Sequence, residues 1–324
     1  MRIEIFQPQA ISEKGSRKNQ EDSIFPIVGQ ATPHDYFFIL CDGMGGHENG
    51  EVASRLVCET VSSYIIQHCD GVLFSDQILN NALEAAFTQI DTLDDGSPQK
   101  PGTTFSFACL HSGGATIAHI GDSRIYHIRP SEHRILYKSR DHSLVYDLFM
   151  TGEITKDEMR SYAKKNIITR AILPNQDRKP KADIVHIANI KTDDYFYLCS
   201  DGMLEQMDDL QLLTLICSDS SDEEKRSQLI EATRENKDNH SAYLIHILNV
   251  ETEDGDISLQ DDEENMHRNA ILLEAKNAVV SKPSRSIELN DLTNSKTLWL
   301  AVIIVSAILF LFVALSKCIS HGFL

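Results

Sequence analysis

Residues 36–54 read YFFILCDGMGGHENGEVAS, an unbroken apolar run that stops at an aspartate, passes through glycines and enters a helix-like repeat. The run Tyr36–Cys41 is short and rich in aromatic and branched residues, which is the pattern of a buried strand. Asp42-Gly43 then reads as a turn. From Gly50 to His68, Val52, Leu56, Val57, Val61 and Ile65 recur at helical spacing. Working outward, strand patterns fall at Thr104–Leu110, Thr116–Ile120, Ile125–Ile128, Tyr195–Cys199 and Tyr243–Val250. Helical spacing returns in Asp76–Ile90, Leu204–Cys217 and Glu223–Asn236. Strands, two helices, many strands, two helices and a last strand form a grouped order. That grouping predicts an α+β layered domain rather than a doubly wound parallel sheet.

The 324 residues contain 30 Lys and Arg against 48 Asp and Glu, a formal charge of −18. Such an acidic chain is not expected to grip nucleic acid. Its seven cysteines are odd in number and scattered, with no C-x-x-C pair, so reduced core thiols are expected. Met1, Arg2, Ile3, Glu4, Ile5 place charge where a secretory signal would be apolar, so the soluble part is expected in the cytoplasm. The soluble domain is drawn at residues 1–250. Residues 251–296 form an acidic and polar linker, expected to be disordered; Glu251–Glu264 alone carries eight acids and no base. Leu298–Ser316 is uncharged over 19 residues, roughly 28 Å as a helix. Residues 297–316 are therefore predicted to span a membrane, leaving 317–324 as a short tail.

Three apolar runs lead into aspartate, at Asp42, Asp122 and Asp201. Taken alone, each is a turn signal. If the strands lie side by side, their ends gather carboxylates at one edge of the sheet, and like charges that close need a cation. Oxygen ligands without a neighbouring His/Cys cluster point to Mg²⁺ or Mn²⁺ rather than zinc.

At this point the residues resemble the metal-dependent protein serine/threonine phosphatases of type 2C, in their bacterial form. The blocks are GSRKNQED (Gly15–Asp22), CDGMGGHENGEVAS (Cys41–Ser54), GTT (Gly102–Thr104), IGDSRIY (Ile120–Tyr126), RDHSLV (Arg140–Val145), NIITRAI (Asn166–Ile172), CSDGM (Cys199–Met203) and KDNHS (Lys237–Ser241). The resemblance implies a four-layer α-β-β-α sandwich, two antiparallel sheets flanked by helices, with the membrane helix added at the C-terminus. It implies hydrolysis of phosphoserine and phosphothreonine in proteins by a metal-activated water at a binuclear Mn²⁺ or Mg²⁺ centre, with room for a third, weaker ion. By resemblance, Asp42 bridges the two ions and the Gly43 carbonyl contacts one of them. Glu21 and Asp22 approach the same centre, Asp201 and Asp238 complete it, and Asp122 helps hold the third ion. Arg17 matches the arginine that grips the substrate phosphate. The implied partners are phosphorylated proteins and a cognate Ser/Thr kinase.

Other residues receive plainer readings. Asn239 is expected to order the loop around Asp238, Thr103 and Thr104 to satisfy backbone beneath the site, and His142 to lie at the surface or behind the ligands. Met44 stands where many eukaryotic relatives carry a histidine, so it cannot protonate a leaving group. After Thr169, Arg170 and Ala171 the family usually has glycine; this chain has Ile172. Thr151–Lys165 falls where the family carries a flap beside the site.

Overall fold

The computed structural model describes residues 1–251 apart from 46–48, 70, 72 and 165. The predicted linker 251–296 past its first residue, the predicted span 297–316 and the tail 317–324 lie outside the described residues. Among the described residues no helix is long and apolar enough to cross a membrane.

Two antiparallel sheets carry the fold. In the first, β1 (Arg2–Ile5) and β2 (Gln9–Glu13) both pair with β12 (His240–Glu251), followed by β11 (Tyr195–Cys199), β8 (Arg124–Arg129) and β9 (Arg134–Lys138). In the second, β10 (Asp183–Ile187) pairs with β7 (Gly114–Ile120), then come β6 (Phe105–His111), β4 (Phe37–Met44) and β3 (Asp22–Phe25), and the short β5 (Gly102–Thr103) extends β4. Helices α1 (Asn49–His68) and α2 (Asp76–Ile90) accompany the second sheet; α5 (Asp209–Ile216) and α6 (Asp222–Ala232) accompany the first. Two short helices, α3 (Leu144–Met150) and α4 (Lys156–Ser161), lie between β9 and β10.

The period-2 rule explains why the central strands read as continuous apolar runs. Phe37, Ile39 and Cys41 pack on Val57, Val61, Leu79 and Leu83 of the helices, whereas Phe38 and Leu40 face Phe196, Leu198, Tyr243 and Ile245 of the other sheet. Tyr197 and Cys199 turn the other way, onto Leu212, Ile216 and Leu229. With both faces covered, alternation of polar and apolar residues has no purpose. The four-layer sandwich expected from the resemblance is thus present.

Several boundaries differ from the sequence reading. The strand at Tyr36–Cys41 does not turn at Asp42 but runs on to Met44, because Gly43 and Met44 pair with Thr103 and Gly102. The helix expected from Leu204 begins at Asp209: Asp201–Leu204 is a 3₁₀ turn, and the Asp208 side chain accepts the Leu210 and Gln211 amides as the N-cap. The last helix ends at Ala232 rather than Asn236, and Ser221 with Glu224 closes a capping box at its start. The six described cysteines are free thiols.

At the pole where β11 begins, Asp194 is fully buried. Its carboxylate accepts hydrogen bonds from Arg129 Nε (2.7 Å) and Nη2 (2.8 Å), His127 Nε2 (2.9 Å) and the Lys191 amide (2.8 Å). Burial pushes its pKa up, yet the bonds from Arg129 and His127 prevail and hold it at about 2. Asp194→Ala leaves the nearly buried Arg129 with only the more exposed Glu132, at 3.3 Å, as counter-ion and is expected to cost about 3 kcal/mol in urea unfolding. A loss below about 1 kcal/mol would show that the pair is dispensable.

Candidate active site

On the faces that the two sheets turn toward each other, the apolar pattern gives way to polar residues within one strand repeat. Ile24 and Leu40 are followed in register by Asp22 and Asp42, which are cross-strand partners. From the opposite sheet, Leu198 is followed by Ser200 and Tyr243 is preceded by Ser241. Ser200 Oγ donates to Asp22 Oδ2 at 2.9 Å and accepts the Ser241 amide at 2.9 Å, tying the sheets together beneath the acids. The carboxylates therefore meet in the space between two sheets. They do not meet at the edge of one, as side-by-side strands would have required, because Asp42 belongs to the second sheet and Asp201 follows a strand of the first.

Each element is held by backbone chemistry. The Asp42 amide donates to Thr104 Oγ1 (2.9 Å), and the Asp42 carbonyl accepts Thr103 Oγ1 (3.0 Å) and the Thr104 amide (2.9 Å), so both threonines satisfy backbone under the site as expected. Thr104 Oγ1 also lies 2.8 Å from Ser123 Oγ, beside Asp122. Asn239 ties its own loop to the one between β2 and β3: its amide nitrogen donates to the Lys14 and Asn19 carbonyls (2.8 and 2.9 Å), and its oxygen accepts the Glu21 amide (2.8 Å). Gly43 admits no side chain, since a Cβ there would lie 2.3 Å from the Gly50 carbonyl oxygen and 2.5 Å from that of Glu21. Gly15, at φ +59°, brings the Arg17 loop against the Asp238 backbone.

The electrostatics are those of crowded, uncompensated acids. Burial pushes the Asp22 pKa up to about 7, with Asp201 and Asp238 adding to the rise against the bonds from Ser241 and Ser200. Burial, then Asp201 and Asp141, push Asp122 to about 8. Asp201, exposed on one side, rises to about 6 through desolvation and the neighbouring Asp238. Asp42 is raised well above the usual carboxylate range by burial and by Asp22, Asp201, Asp122 and Asp238. Glu21, half-buried, is raised by desolvation despite Arg17. Asp22 Oδ1 and Asp122 Oδ1 are buried with no hydrogen-bond partner. Arg17, mostly exposed, meets Asp238 Oδ2 through Nη2 at 2.5 Å.

Asp42 thus lies within electrostatic reach of Asp22, Asp122, Asp201 and Asp238, and Arg17 bonds Asp238 and acts on Glu21. Orphaned carboxylate oxygens and an oxygen-only donor set suit hard divalent cations. The sequence reading missed the serines; Ser106, Ser200 and Ser241 at inward-facing positions of apolar strands were the available signal. Of the two places expected for His142, the surface or behind the ligands, its 3% exposure excludes the surface and agrees with the second. Ligand atoms of His119, His142 and Asp183 lie within 4.8 Å of one another. However, His142 Nδ1 accepts the Gly121 amide at 3.0 Å, so Nε2 carries the proton toward Asp183 Oδ2 at 3.1 Å. His119 Nε2 is spent on the Arg140 carbonyl at 2.7 Å. With these ring nitrogens already committed to hydrogen bonds, the acid cleft is the better cation site.

An α-β-β-α sandwich with an acidic cleft between its sheets defines the class, and comparison gives the family. Residues 13–241 match the family model described as protein phosphatase 2C, and the chain belongs to that family. It is 31% identical over 216 residues to protein phosphatase PhpP of Streptococcus pneumoniae, spanning 66% of this chain and 85% of that protein. Its structure is similar to the serine/threonine phosphatase PstP/Ppp of Mycobacterium tuberculosis, at TM-score 0.63 and 28% identity over 76% of this chain and 100% of that one. A PstP catalytic domain in complex with two manganese ions matches at TM-score 0.62 and 27% identity, again over 76% and 100% of the two chains.

The raised carboxylates make a stability prediction. A folded-state pKa above the unfolded value means that the folded protein holds more protons, so stability is lost as pH rises through the folded pKa. Buried His119 and His142, whose pKa values desolvation lowers, act only below about pH 6.5. After chelator treatment the melting temperature should therefore fall from about pH 6.5 to about pH 8, and Mn²⁺ should raise it more at the higher pH. An equal Mn²⁺ shift at both would contradict the cleft as the cation site.

Proposed function

We propose that this chain hydrolyses phosphoserine and phosphothreonine in other proteins, using two Mn²⁺ or Mg²⁺ ions held in the cleft between the sheets, with a third and weaker ion beside Asp122. The observation that carries this reading is the set of uncompensated acids, two of whose buried oxygens have no partner. Asp42, within electrostatic reach of Asp22, Asp122, Asp201 and Asp238, would hold the ions together with the Gly43 carbonyl, Glu21, Asp22, Asp201 and Asp238. Bound divalent ions would supply a nucleophile from water at neutral pH and neutralise phosphoryl charge.

The protein's own groups do the rest. Arg17 donates through Nη2 to Asp238, which leaves the other edge of its guanidinium to donate to phosphoryl oxygens from the mouth as a planar fork. Thr103, Thr104 and Ser200 hold the acids at fixed spacing, so little reorganisation is needed on binding. Met44, half-buried beside Asp42, offers no proton to a leaving group.

The same reading places the chain in a membrane through residues 297–316, with residues 1–250 in the cytoplasm opposing a Ser/Thr kinase. It rests on the uncharged run Leu298–Ser316.

Turnover of p-nitrophenyl phosphate by the full chain should depend on Mn²⁺, vanish with excess chelator, and drop more than about 100-fold in Asp201→Asn, since even residues that only support metal ligands cost 10–100-fold. A folded protein without metal-dependent turnover would point to a phosphoprotein-binding module instead. Deleting residues 297–324 should move the protein from the membrane pellet to the supernatant with turnover intact; retention in the pellet would sink the anchor.

A further inference from the structure

Asp122 stands on a tight turn between β7 and β8 that cannot hold itself. Gly121 has φ +112°, and a Cβ there would lie 2.6 Å from Thr104 Cβ, so the turn is both strained for L-residues and pressed on the Asp42 support. The carboxylate's own oxygen Oδ1 has no partner to anchor it. Thr104 and Ser106 hold Ser123 after Asp122, and one residue holds Gly121 before it. His142 donates its amide to the Gly121 carbonyl at 2.9 Å and accepts the Gly121 amide on Nδ1 at 3.0 Å, closing both backbone groups of that glycine.

The rest of His142 is held equally firmly. Nε2 lies 3.1 Å from Asp183 Oδ2 on β10, which fixes the tautomer that leaves Nδ1 free to accept. Asp183 is in turn paired with Arg170 Nη1 at 3.0 Å. The ring of His119 stacks on it at 4.7 Å and 14°, and the His142 carbonyl accepts the Thr169 amide at 2.8 Å. A buried imidazole with both nitrogens committed and a ring on its face has a defined orientation, which generic packing would not require.

We propose that His142 is a positioning residue for Asp122: through its bond to the Gly121 amide it sets where that carboxylate points in the cleft, and so tunes the weakest of the cation sites. Asp183 acts one step further back by holding the imidazole tautomer. The inference rests on the assignment of Asp122 to a cation, but its test separates from that of the activity. Loss of His142 should leave the ions on Asp42, Asp201 and Asp238 untouched, because none of these residues bonds to it.

Mn²⁺ binding to the full chain can be followed by titration calorimetry, with melting temperature recorded in parallel, for wild type, His142→Ala, His142→Asn and His142→Gln. The asparagine oxygen falls at the place of Nδ1 and can accept the Gly121 amide; the glutamine amide falls at the place of Nε2 and cannot. The weakest Mn²⁺ event should lose affinity about tenfold in His142→Ala and His142→Gln, as expected for a residue supporting a ligand, and recover in His142→Asn, while the tighter events stay unchanged. Unchanged weak binding in folded His142→Ala would overturn the proposal, as would equal losses in the asparagine and glutamine variants. Should the alanine variant fail to fold, the asparagine and glutamine pair decides alone. Absence of Mn²⁺ binding in wild type would instead defeat the assigned function.

Discussion

The structure is organised around mutual repulsion of carboxylates that the backbone does not let relax. Asp22 and Asp42 are opposite each other on neighbouring strands, a pairing that is destabilising for like charges. They also lie in a space walled by apolar residues, where water screens poorly. A sandwich that needed only stability would continue Ile24 and Leu40 with further apolar residues. Instead the strands continue with acids; Thr103 and Thr104 use their hydroxyls on the backbone, and Ser200 donates to Asp22 without offsetting its burial. The strain is confined to one end because the remaining inter-sheet space, from Phe38 and Phe196 onward, is a conventional apolar core.

This arrangement accounts for glycine at particular positions. Gly43 and Gly50 let strand β4 and helix α1 meet backbone to backbone, and Gly202 places the turn after Asp201 so that a Cβ would lie 2.0 Å from the Asn239 carbonyl oxygen. Acids from separate sheets can share a cation only if the main chains that carry them come this close. Bulk at any of these glycines would spread the carboxylates apart before altering their chemistry.

Much of this was legible in the sequence. Tyr195–Cys199 forms the strand as drawn, because a residue run buried on both faces needs no long-range information to be recognised. Strand β3, four residues long, was not visible: its identity comes from pairing Asp22–Phe25 against β4, which no local pattern encodes. Asp42 read as a turn for the same reason, since the partner that prolongs the strand is 60 residues away at Gly102–Thr103. The start of α5 was misplaced because Leu204 continues the apolar spacing, while the Asp208 side chain decides the cap. The acids themselves were picked out by repetition and by family resemblance. Their meeting place was not, since sequence spacing does not say which strands share a sheet. For His142 the surface and a place behind the ligands stayed open, because nothing local announces that its amide and its ring close both backbone groups of Gly121.

The two ends of strand β11 are electrically unlike. Asp194, just before it, is matched by Arg129 and His127; Asp201, just after it, sits among further negative charge. The two lie seven residues apart, on the order of 20 Å along an extended chain. Negative potential is therefore concentrated at one pole, and low-dielectric walls on both sides focus it outward through the mouth. Small dications arriving from solution are guided toward that pole, and added salt should slow their capture more than it weakens their final hold.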